Sequence, residues 1–145
     1  MACAAALAIV IVLVTGSRRA EADPVIAEFR ATERVCIRAF NDALHHQAAN
    51  DIDELGLATA IDRDVLPPWR QMRAHVDAVA NIPERRRALF ETLRRYLADR
   101  QAAWEAYSAA LRAPSEIVSR PLLDTYHQKN SQAQDEARAI APQLP

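Results

Sequence analysis

The sequence predicts an all-α fold, an up-down antiparallel bundle of about four main helices. Three observations carry this expectation. Only two glycines, Gly16 and Gly56, occur in 145 residues, whereas hairpins and barrels need glycine at turns of positive φ. Half the chain is apolar, with alanine, leucine, glutamate and arginine abundant, a composition suited to helices around a core. Between Ile82 and Arg112, the residues Phe90, Leu93, Leu97, Arg100, Trp104, Tyr107 and Leu111 recur at alternating three- and four-residue steps. That spacing puts all seven on one face of a helix. Pro83 suits the first turn of this long helix, Glu84 suits the positive end of its dipole, and Pro114 stops it. The remaining helices are expected to cover its apolar face.

The chain divides into residues 1–22, a helical domain 23–141 and a tail 142–145. Ala2 to Val14 is an unbroken apolar run. A membrane span needs about 20 residues, so this run fits the core of a signal peptide better. Ala20-Glu21-Ala22 supplies the small-x-small pattern before a cleavage site, so cleavage between Ala22 and Asp23 is expected. No basic residue precedes the run, and Arg18 and Arg19 follow it, which keeps a retained N-terminal anchor as the alternative. The expected location is the periplasm or outside the cell, or the inner membrane if the anchor stays. After cleavage Cys36 is the one remaining cysteine, so no internal disulfide can form. It falls in step with Phe29 and Phe40 and is expected to be buried as a small apolar residue.

Asp23-Pro24 opens the first helix, with Asp as cap and Pro in the first turn, and the helix runs to about Ala49. Val25, Phe29, Cys36, Phe40, Ala43 and Leu44 form its apolar face. Asn50-Asp51 offers a break and a new cap. A second helix is expected over Ile52–Leu66, broken at Pro67-Pro68, because each proline lacks an N–H and disfavours helix in the residue before it. Pro68 also suits the start of a third segment in which Trp69, Met72, Val76 and Val79 follow at helical spacing. The two segments are therefore one kinked helix or two that turn. The last helix is expected from Ser115 to about Ala141. Ile117, Val118, Leu122, Leu123 and Tyr126 form its apolar start, Pro121 kinks or restarts it, and the alanine-and-polar stretch beyond His127 is expected to be exposed. Short connectors make neighbouring helices antiparallel.

Few residues point to chemistry. Asp42 with His45, and Asp124 with His127, are Asp-x-x-His pairs whose members share a helix face. Bundles that hold two metals use Glu-x-x-His pairs with further glutamates. Here the acid is the shorter aspartate and no further ligands stand out, so the four are expected as solvated side chains and no cofactor is expected. The nucleophile elbow and the phosphate-binding loop are missing from the sequence, and no catalytic residue is assigned. Net charge is −1, and the arginines are interspersed with acids, which gives nucleic-acid binding no electrostatic basis. Arg100 interrupts the apolar stripe and needs an acceptor or an exit to water. Trp69, Arg100, Trp104 and Tyr107 are the candidates for contact with a partner, against their ordinary role as core anchors. The functional expectation is an exported, non-catalytic bundle acting through protein–protein contact or self-association. A metal- or haem-binding bundle and a membrane-anchored accessory subunit are the alternatives.

Overall fold

The computed structural model describes residues 22–144. The expected signal segment therefore lies outside the described residues, apart from its last position, Ala22. Five α-helices form four rods: α1 (Ala22–Ala48), α2 (Glu54–Ala60) continuing into α3 (Leu66–Ala78), α4 (Arg87–Leu111) and α5 (Glu116–Ile140). The described residues include no strand. The helices pack together as an all-α bundle.

Cross-helix contacts give the topology. Glu28 meets His75 and Cys36 meets Val65, so α1 runs against the α2–α3 rod. Arg70 meets Glu105 while Arg94 meets Val76, so that rod runs against α4. Tyr107 stacks on Tyr126 while Arg95 meets Glu136, so α4 runs against α5. The order is up-down-up-down, as short connectors require.

Local chemistry explains the boundaries. Asn50 takes a left-handed φ of 61° and turns the chain after α1. Asp53, rather than Asp51, caps α2 by accepting from the Gly56 N–H at 2.7 Å. A Cβ on Gly56 would stand 2.9 Å from the Cβ of Ile52, so this glycine permits close approach of the turn. Pro83 ends the connector after α3, and a 3₁₀ turn at Glu84–Arg86 leads into α4.

The chain does not leave the helix at Pro67-Pro68. Its α register is interrupted one turn earlier, by a π turn over Ile61–Val65, where the Leu66 N–H reaches the Ile61 carbonyl. The wider turn admits the proline rings, and the prolines occupy the first turn of α3, where missing N–H groups do least harm. Of the two readings open in the sequence, one continuous, interrupted rod is correct.

The core is the predicted one along α1 and α4. Phe29, Cys36, Phe40, Phe90, Leu93, Leu97 and Trp104 are buried, with Ile61, Val65, Trp69, Met72 and Val76 from the α2–α3 rod. The last helix reverses the expectation. Its apolar start is open, with Ile117 86 % and Val118 45 % exposed, while Ala133 and Ile140 in the alanine-rich half are 0 % and 2 % exposed. Tyr126, Asn130, Ala133, Ala137 and Ile140 continue a four-three spacing, the partner pattern to the α4 stripe in an antiparallel coiled-coil seam. Pro121 lies inside α5 without ending it. After α5 the chain turns through Ala141–Gln143, and the half-buried Leu144 rests on the core.

Candidate functional site

The four candidate contact residues lie in one neighbourhood, built along α4. Trp69 and Trp104 are buried, at 0 % and 2 % exposure, and meet edge to face with ring centroids 4.9 Å apart. Because α2 and α3 form one rod, Trp69 stands in its middle and not at an end of the bundle. Its indole N–H donates to the Leu97 carbonyl at 2.9 Å, giving the buried donor a partner. Tyr96 packs edge-on against both Trp69 and Phe29. These rings are core anchors, and neither tryptophan offers a surface to a partner.

Arg100 is held by Asn130 and by ring faces. Its Nη1 donates to Asn130 Oδ1 at 2.5 Å, and its guanidinium carbon lies 5.6 Å from the Tyr96 centroid and 5.8 Å from that of Trp104. Those distances suit cation–π attraction. The Nε is buried with no hydrogen-bond partner. Next to it the Tyr96 hydroxyl donates to Glu33 of α1. Burial, then the Glu33 charge, pushes the Tyr96 phenol well above its ordinary range, with Arg100 acting against both. Tyr96 therefore stays a protonated donor. Arg100–Asn130 is a polar layer in an otherwise apolar seam, the device that fixes register between paired helices.

Ion pairs flank that layer. Lys129 meets Asp99 at 2.8 Å, and Arg95 meets Glu136 at 3.5 Å. The Glu136 side chain is 16 % exposed, and its Oε2 is buried without a partner. Burial, then the nearby Asp99 charge, raises its carboxyl above the ordinary glutamate value. On the α3 side, Arg94 donates to the carbonyl of Val76 in the last turn of α3, which also accepts from the Val79 N–H, and to that of Val79 just past its end. At the far end of the same seam, the buried Ser108 hydroxyl donates to Asp62 at 2.7 Å and Arg112 pairs with Asp62 at 2.9 Å.

Tyr107 is half-buried. It lies 6.2 Å from Phe40 and stacks on Tyr126 with centroids 4.7 Å apart. This aromatic bridge brings the two Asp-x-x-His pairs to the same end of the bundle. Asp42, His45, Asp124 and His127 are nevertheless all exposed. Among the described residues no group of three or more His, Cys, Asp or Glu side chains is arranged to hold a metal ion. The four do not converge, because each pair lies on the solvent side of its helix. Elsewhere His46 pairs with Asp51 and His75 with Glu28, both at the surface. The Cys36 thiol is buried, donates to the Val65 carbonyl, and is pushed up to about 11 by burial, so it stays protonated.

Two surfaces remain open at the end where α5 starts. A groove of about 670 Å³ between α1 and α2 is lined by Asp42, His46, Ile52, Leu55, Arg63 and Asp64, among others. A smaller depression of about 490 Å³ on the start of α5 is lined by Glu116, Ile117, Arg120, Pro121 and Asp124. The sequence reading grouped Ile117 and Val118 in the apolar start of the last helix and expected exposure only beyond His127, and so missed this second surface. The alanines of the later, four-three-spaced half were the available signal that α4 makes its close contact there instead. Compared with models of known families, with curated proteins and with solved structures, the chain shows no match.

Proposed function

We propose that this chain is an exported, non-catalytic bundle that acts by binding a protein through the start of α5. The observation that supports this reading is Ile117, 86 % exposed beside Val118 and the exposed Pro121, on a helix whose other half is packed. Clustered apolar side chains held in water mark interaction surfaces more often than isolated ones do. The surface is rimmed by Glu116, Arg120 and Asp124, an apolar centre with a charged edge as protein interfaces have.

Export rests on the sequence of residues 1–22, with cleavage between Ala22 and Asp23, and the proposed location is the periplasm or outside the cell. No helix among the described residues is long and apolar enough to cross a membrane. An anchored form would retain residues 2–14 and present the same surface.

The test is a photo-crosslinking residue at position 117 in the natively expressed chain, with position 138 as the control on the exposed face of α5. The reading expects adducts of discrete mass from position 117 and none from position 138. Absence of adducts from position 117 in both soluble and membrane fractions contradicts it.

A further inference from the structure

We infer that the partner of the α5 start is a second copy of this chain, docked antiparallel across a two-fold axis near Val118. This rests on the reading above, that the α5 start is a binding surface. The stripe is self-complementary in charge and in shape. Glu116 and Arg120, one turn apart, have side chains 81 % and 73 % exposed and pair with each other at 2.8 Å within the helix. Reversing one helix over another about residue 118 sets Glu116 of each copy against Arg120 of the other, giving two opposite-charge contacts per dimer. A surface built for a wholly acidic or wholly basic partner would carry one sign; this one carries both, spaced to match its own reverse.

Shape follows the same rule. Ile117 and Pro121 line one depression on the face that carries Glu116 and Arg120, so the reversed copy sets this apolar centre against its like. An isologous contact uses each of these features twice. A single helix end buries less than the roughly 800 Å² per partner of a standard interface, so the dimer is weak and concentration-dependent.

The decisive experiment is sedimentation velocity on the full processed chain over a concentration series. It compares the unaltered protein, Glu116→Arg, Arg120→Glu and an equimolar mixture of the two variants. Each reversal alone creates two like-charge contacts per dimer and is expected to weaken self-association at least ~10-fold. The mixture restores both attractive contacts, so the heterodimer forms as well as the original dimer. Ile117→Ser is expected to weaken it roughly 100-fold, because both copies lose an apolar contact. Thermal melts that match the unaltered chain show that the variants still fold. Single variants that associate normally, or a mixture that fails to recover, overturn the inference. A strictly monomeric protein that still gives a heterologous adduct at position 117 overturns the second copy and leaves the binding surface standing. A monomer with no adduct overturns both.

Discussion

The two halves of α5 differ in burial in the opposite sense to their hydrophobicity. From Glu116 to Tyr126 the helix carries Ile117, Val118, Leu122, Leu123 and Tyr126, and none is fully buried. From Asn130 to Ile140 it carries alanines among polar residues, and both of its buried residues, Ala133 and Ile140, lie there. Helical register accounts for the difference: continued back from Tyr126, the four-three seam passes through Leu123 and Ser119, so Ile117 falls on the opposite side of the helix, in water. Alanine lets two helix backbones come close, and interaxial distance follows the side chains at the contact. At the other end the contact between α4 and α5 is the Tyr107–Tyr126 stack, with large rings in place of alanine. Burial is set by what stands opposite a residue as much as by its own hydrophobicity.

The comparison can be broken by substitution, and the largest effect belongs to the shared floor beneath both halves. Trp104→Ala removes a ring that meets Phe40, Trp69 and the Arg100 cation. It should cost about 3–5 kcal/mol in urea unfolding. Ala133→Leu places a large side chain at a site with no exposed surface and should cost about 1–3 kcal/mol by overpacking. A neutral result there would mean that the close half is not close.

The polar layer that opens the closed half gives a sharper test. Asn130→Leu alone strips Arg100 of its acceptor and should cost about 1–3 kcal/mol. Combined with Arg100→Met, the pair becomes apolar, and the double variant should lie well above the sum of the single effects. Additive losses in that cycle would show that the two residues act independently.

Glu136 should make the closed half sensitive to pH. Its carboxyl is raised in the folded chain, so folding favours the protonated form. Stability from this group is present at low pH and is lost as pH rises from the unfolded value through the folded one. Glu136→Gln should therefore flatten the fall in stability across that range and matter least in acid. An unchanged slope of Tm against pH would contradict the assignment. The smallest expected effect is at the open half: Ile117→Ser should change monomer stability by no more than about 0.5 kcal/mol, because the side chain is already in water.

Much of the fold was legible because its signals are local. The stripe on α4, the start signal at Pro83, the stop at Pro114 and the apolar face of α1 depend on spacing and backbone chemistry within one segment, and they place the helices within a few residues. Pro67-Pro68 was ambiguous for the same reason. A proline pair breaks one helix and starts another with the same chemistry, and only the π turn at Ile61–Val65 joins the two segments into one rod. The partner of Arg100 was not legible, since Asn130 reaches it only once the α4–α5 register is set. The open start of α5 was misread because hydrophobic residues at helical spacing say which face could be buried, not which neighbour will cover it.

The most direct test of this account is amide hydrogen exchange along α5 in the full chain, at low and high protein concentration. The account predicts strong protection over residues 129–140, weaker protection over 117–123, and a rise confined to the latter as concentration increases. Uniform protection along α5, independent of concentration, would contradict both the division of the helix and the binding role assigned to its open half.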